Sequence, residues 1–173
     1  PPRYLHNGDA AYQLLQALVL RSEVVADLLQ LCDERAWWST GSQHDLIACQ
    51  GEFAVQRRNF PATAQAKLPR FTMAALNHPQ SWLWLKAQGF SLPALWTQLL
   101  TGFVQLHLTL WQYGALPECH GQNLQVWLDD SGNWRFILRD HDTLRICPAQ
   151  LQRQGMVVPD YKINWHTPNT LVL

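Results

Sequence analysis

Between Ser91 and Gly114 the chain reads SLPALWTQLLTGFVQLHLTLWQYG, 24 residues with no Lys, Arg, Asp or Glu. Ser91 is a good N-cap, Pro93 fits the first turn, and Gly114 suits the left-handed residue that stops a helix. Apolar residues occupy most of the circumference, so the spacing predicts one long helix buried on nearly every side. The rest of the chain must wrap around it. With 173 residues there is enough chain for one domain with a real core. Yet 47% of residues are apolar and only 15% charged, against about 25% charged in an ordinary globular domain. Together with nine Trp, this surplus implies apolar surface that another domain or subunit covers.

The totals also exclude several functions. Thirteen basic residues balance thirteen acidic ones, which leaves no electrostatic case for binding nucleic acid or an anionic membrane. No uninterrupted apolar run approaches the roughly 18 residues of a membrane span. Cys32, Cys49, Cys119 and Cys147 stand singly, without the CxxC spacing of zinc or iron–sulfur sites. A reduced cytoplasmic setting is the simplest reading of such cysteines. The start PPRYL lacks Met and the end NTLVL stops within an apolar run, so residues 1–173 are expected to form a domain, or a domain fragment, of a larger protein.

Along the chain, residues 7–38 give the clearest helical periodicity. Asn7 or Asp9 is the expected cap, and a break near Arg21-Ser22 leaves one helix or two open. LIACQGEFAVQRR reads as two strands turning at Gln50-Gly51, FTMAALN fits helix or strand, and HPQSWLWLKAQG is a short helix. LQVWL and WRFIL are strands joined by the turn DDSGN. The expected class is α+β, mainly helical, with small antiparallel hairpins.

The segment ECHGQNLQVWLDDSGNWRFILRDHD places polar residues at both outer ends of that last hairpin. Paired strands lie about 5 Å apart, so Glu118, His120 and Asn123 are expected to meet Arg139 and Asp140. Glu118, Asp140 and the Asn123 carbonyl are hard oxygen donors, and Mg²⁺ takes one or two carboxylates together with substrate phosphates. His120 can donate to a phosphate oxygen or hold a reacting carboxylate. Arg139 and Arg135 are candidate forks for phosphate or carboxylate. Gly121 is expected to admit a ligand close to the backbone. Kinases share the order of helix, His/Asn loop, hairpin and metal-binding Asp. Their loop also carries an Asp base, and HGQN has none, so the arrangement is only distantly kinase-like and favours nucleotide handling over phosphoryl transfer to a hydroxyl.

ECHGQNLQVWL and FILRDHD resemble the NRPS-independent siderophore synthetases of the aerobactin type, in the C-terminal half of those enzymes. The specific match covers about 25 residues and includes Glu118, His120, Gln122, Asn123, Arg139 and Asp140. The resemblance implies an ATP- and Mg²⁺-dependent ligase that adenylates a carboxylate of citrate or a related acid and condenses it with an amine or alcohol. It implies catalysis by His120, phosphate binding by His120, Gln122, Asn123 and Arg139, and metal binding by Glu118, Asn123 and Asp140. It also implies homodimers, further domains of the same enzyme as partners, and little activity in this segment alone. Two alternatives stand beside it: a small-molecule phosphotransferase, and a protein like the ferric-siderophore reductases without their iron–sulfur cysteines.

Other residues admit plainer readings. Glu118 can cap or pair locally. Arg57 and Arg58 reach a phosphate or citrate, or simply end a solvated strand. Lys67 and Arg70 are expected to face solvent, His107 to be a core histidine, and Asp142 to support Asp140. His44, His78, His141 and His166 show no metal-ligand spacing, and the Trp residues read as packing.

Overall fold

The computed structural model describes residues 3–40, 53–62 and 69–161. Helix α1 (Arg3–Arg21) buries Ala11, Leu14, Leu15 and Leu18 on one face, as the period predicts. It stops at the expected break. The Ser22 hydroxyl oxygen accepts from Val25 N–H at 3.4 Å and caps a second helix, α2 (Glu23–Leu28).

Helical structure was expected through Trp38, but from Leu29 onward the chain is strand. β1 (Leu29–Leu31) is followed at once by β2 (Asp33–Ser39). The cause is non-local. β1 pairs in parallel with β7 (Trp134–Leu138), setting Leu29 against Phe136 and Leu31 against Leu138. Burial of Leu29 and Cys32 satisfies a strand as well as a helix, and the distant partner decides between them.

β2 pairs antiparallel with β3 (Ala54–Asn59), and the register shifts between Asp33 and Ala36. The second strand of the expected 46–58 hairpin is therefore real, with β2 as a partner. The Gln50-Gly51 turn lies outside the described residues.

FTMAALN divides between the two readings left open for it. β4 (Phe71–Thr72) runs into a 3-10 turn, Met73–Asn77. Then come α3 (Pro79–Ala87), α4 (Leu92–Tyr113), β5 (Ala115–Leu116), β6 (Leu124–Leu128), β7, β8 (Arg145–Ile146) and α5 (Pro148–Arg153). The main sheet has the order β1-β7-β6-β4. The class is α+β as expected, with one parallel pair that isolated hairpins would not contain.

α4 is the long helix, and Gly114 ends it at φ 90. A Cβ there would lie 2.8 Å from Gln150 Cβ and 3.0 Å from the Cys147 carbonyl, so glycine is needed for space as well as conformation. Leu95, Leu99, Leu106 and Leu110 form the buried face. Trp134 secures it to the hairpin, donating from Nε1 to the Leu95 carbonyl at 3.0 Å. The expectation of all-round burial fails. Trp96, Leu100, Val104, Leu108 and Trp111 form an opposite stripe, each 40 to 52% exposed. Periodicity shows that a face is apolar; it does not show which body covers it. Among the described residues no helix is long and apolar enough to cross a membrane.

Candidate functional site

The hairpin turn is built by Asp129, whose Oδ1 accepts the N–H groups of Ser131 and Asn133, each at 2.9 Å. Gly132 takes φ 78. That geometry sets the register from Leu128 against Trp134 to Leu124 against Leu138. At the far end Arg139 N–H donates to the Asn123 carbonyl at 3.1 Å. The Arg139 guanidinium Nε reaches the Gln122 carbonyl at 2.9 Å. Residues 122–123 and 139–140 thus come together through the ladder, as the strand spacing predicts.

The loop before β6 is held by its own backbone. Asn123 N–H donates to the His120 carbonyl at 3.0 Å, and Gln122 N–H points to His120 Nδ1 at 3.4 Å. With Nδ1 accepting, a neutral His120 ring carries its proton on Nε2. His120, Gln122 and Glu118 are exposed, while Asn123 is buried. The role expected of Gly121 changes. A Cβ there would meet Ala74 Cβ at 2.9 Å and Ala74 N at 3.0 Å, and Ala74 N–H donates to the Gly121 carbonyl. What glycine admits at this point is the 3-10 turn after β4, which presses the loop against the sheet.

Asp140 is the one non-glycine among the described residues with positive φ, at φ 57 and ψ 58. Its N–H donates to Glu34 Oε2 at 2.8 Å. Glu34, on β2, is only 5% exposed, and its Oε1 accepts from Arg58 Nε at 2.6 Å. Arg58 Nη2 in turn donates to Asp140 Oδ1. On the other side Arg139 Nε stands 3.5 Å from Asp140 Oδ2. Burial opposes the charge on Arg58, and the Glu34 and Asp140 carboxylates outweigh it, so the guanidinium binds its proton more tightly than usual.

His141 is buried. Nε2 lies 3.1 Å from the Leu138 carbonyl, and Nδ1 faces Glu34 Oε2 at 3.8 Å without a hydrogen bond. Burial holds this imidazole below its ordinary pKa, partly offset by Glu34. Burial, then the charge of Asp140, pushes the Asp142 carboxyl up to about 6. A cleft of about 200 Å³ opens beside Glu34, Gln56, Asp140 and Asp142.

Direct bonds therefore unite Gln122, Asn123, Arg139 and Asp140, and they add Arg58 and Glu34. His120 and Glu118 lie on the same loop, and among the described residues no hydrogen bond or ion pair ties either to Asp140. Arg58 is neither a loose strand end nor a free anion fork, because two carboxylates hold it. Arg135 is not at this site: it pairs with Asp27 and Asp129, each at 2.8 Å, near the hairpin turn. Arg70 lies over the Phe60 ring at 4.0 Å, and Lys67 lies outside the described residues. Sequence reasoning missed Glu34 and His141. Glu34 carries no local signal, since its partners are 24 and 106 positions away.

As a metal site the cluster is sparse. Among the described residues no group of three or more His, Cys, Asp and Glu is arranged to hold an ion. One exposed and one partly exposed carboxylate, Glu118 and Asp140, suit Mg²⁺ arriving with a nucleotide's phosphates better than an ion caged by protein alone. The 200 Å³ cleft is also smaller than a typical small-molecule pocket of about 300–1,000 Å³.

No family model matches the chain. Staphyloferrin B synthase of Staphylococcus aureus (strain NCTC 8325 / PS 47) is 35% identical over 182 aligned residues, which cover 99% of this chain and 31% of that protein. The chain thus spans about a third of the length of that curated relative. The solved aerobactin synthetase IucC, from a hypervirulent pathotype of Klebsiella pneumoniae, superposes with a TM-score of 0.66 at 19% identity, over 88% of this chain and 30% of that one. The likeness in structure extends to the fold.

Proposed function

Since the chain belongs to the NRPS-independent siderophore synthetase family, we propose that it is the segment of such a ligase that receives the phosphates of ATP and the metal accompanying them. The reaction proposed for the whole enzyme is adenylation of a carboxylate of citrate or a related acid, followed by condensation with an amine or alcohol. The observation that carries this reading is the junction at the base of the hairpin. There Arg139 bonds to Gln122, and Asp140 is fixed beside an exposed His120 loop.

The residues divide the work by their chemistry. His120, with its proton on Nε2, offers a donor to a phosphate or carboxylate oxygen. Arg139 adds a fixed positive charge beside the loop. Gln122 presents an exposed amide to the phosphates, and buried Asn123 anchors the loop to β7. Glu118 and Asp140 would hold Mg²⁺, which when bound neutralises phosphate charge. The 200 Å³ cleft beside Asp140 is lined by none of Glu118, His120, Gln122, Asn123 and Arg139, and the chain spans 31% of its relative, so the nucleotide pocket draws on other parts of the enzyme. The proposed setting is the cytoplasm, where ATP is available and single cysteines stay reduced.

The test is product analysis in the whole synthetase. Given ATP, Mg²⁺ and a polycarboxylate, the wild type should release AMP and pyrophosphate. His120→Ala and Asp140→Ala should each lower that release by at least about a hundredfold while circular dichroism stays unchanged. ADP as the product would mean a phosphotransferase, and full pyrophosphate release by both variants would remove the site from the chemistry.

A further inference from the structure

We propose that Glu34 is a positioning residue for this site, fixing Asp140 and Arg58 together from a strand more than a hundred positions earlier in the chain. The inference rests on the nucleotide reading just given and adds a residue that the hairpin motif does not contain. Glu34 divides its two carboxylate oxygens. Oε1 takes Arg58 Nε at 2.6 Å, and Oε2 takes Asp140 N–H at 2.8 Å. The second bond holds the left-handed backbone of Asp140, a conformation uncommon for non-glycine residues though Asp is among those that tolerate it.

The first bond acts on the Asp140 side chain. Arg58 reaches Asp140 Oδ1 while Arg139, itself anchored on the Gln122 carbonyl, flanks Oδ2 at 3.5 Å. Arg58 is tied at a second point by Glu34, and Arg139 Nε, whose one hydrogen goes to the Gln122 carbonyl, adds a charge contact, so the carboxylate is bonded on one side and flanked by positive charge on the other. A buried carboxylate is costly in a strand that needs only an apolar residue for packing, and it persists where its bonds fix a geometry. The Glu34 side chain is 5% exposed and its two partners are 36% and 26% exposed. Glu34 therefore supports the site from beneath, and Asp140 and Arg58 form its open edge.

The experiment compares wild type, Glu34→Gln and Glu34→Ala in the whole synthetase, with Arg58→Lys as a second, surface-side variant that keeps the fold and the charge but loses the two-point link. Two readouts separate positioning from mere stability. Without ligand, amide exchange at Asp140 should speed up about tenfold or more in Glu34→Ala while the core amides of β6 and β7 keep their rates, the factor that one hydrogen bond to a charged group supplies. With ATP, the Mg²⁺ concentration giving half-maximal pyrophosphate release should rise about tenfold in Glu34→Gln and Arg58→Lys. A purely structural role would lower the melting temperature and the active fraction without moving that midpoint. Unchanged Asp140 exchange together with an unchanged Mg²⁺ midpoint overturns the proposal. A wild type indifferent to Mg·ATP would overturn the nucleotide reading, whereas faster Asp140 exchange in Glu34→Ala would still support the positioning role.

Discussion

Single residues show how the protein manages polar groups away from water. His107 sits on α4 with its Nδ1 2.7 Å from the Phe103 carbonyl and its ring 4.0 Å from the Phe103 ring, while Nε2 has no partner among the described residues. Burial lowers its pKa. A histidine with a depressed folded pKa binds fewer protons folded than unfolded, so its contribution to stability is whole above about pH 6.5 and is lost as pH falls below that. His107→Leu should therefore stabilise the protein increasingly, relative to wild type, as pH drops from 7 to 5, which thermal melts at each pH would show. A constant difference across that range would mean that the ring titrates in the fold as it does in the unfolded chain. A satisfied core histidine was expected here because the residue interrupts an apolar helix; the ring is instead half-buried, with Nδ1 paired and Nε2 unpaired among the described residues. Glu34 was not legible, because nothing within several positions of it announces a partner on β3 or beyond β7.

Among elements, those that depend on near neighbours were readable and those that depend on distant ones were not. α4 begins and ends where Ser91, Pro93 and Gly114 place it, and the β6–β7 hairpin turns where Asp129 and Gly132 allow. The residues after Leu28 carry a spacing that a helix would accept, yet β7 captures them as a strand. The base of the hairpin could be inferred, since strand pairing alone brings Arg139 to Asn123. The wall of the site formed by β2 and β3 could not be. α4 and the hairpin are joined by Gln98, which accepts from Trp134 N–H at 3.0 Å and donates to Asn133 Oδ1 at 2.8 Å. Gln98→Ala leaves a strand N–H without its partner and should cost about 1–3 kcal/mol, measured by denaturant unfolding. A loss below a few tenths would mean that water replaces the amide.

At the scale of the whole molecule part of the apolar surplus is now located. Trp96, Leu100, Val104, Leu108 and Trp111 carry a continuous share of it along one side of α4, where five large side chains stand 40 to 52% exposed. In water a stripe of this length favours association. Leu100→Gln combined with Leu108→Gln should reduce self-association of the chain in sedimentation velocity and leave its melting temperature unchanged, since neither side chain is buried. A fall in melting temperature would show the stripe contributing to the fold itself. The parallel pairing of Leu29–Leu31 with Phe136–Leu138 has a kinetic corollary. Bringing those strands together closes a ring of about a hundred residues, an ordering penalty met only once much of the intervening chain has condensed. The hairpin can assemble early from its own turn, but the carboxylate that steadies its base arrives with the N-terminal strands. Competence at this locus is thus a late event in folding, acquired when two strands about a hundred positions apart finally meet.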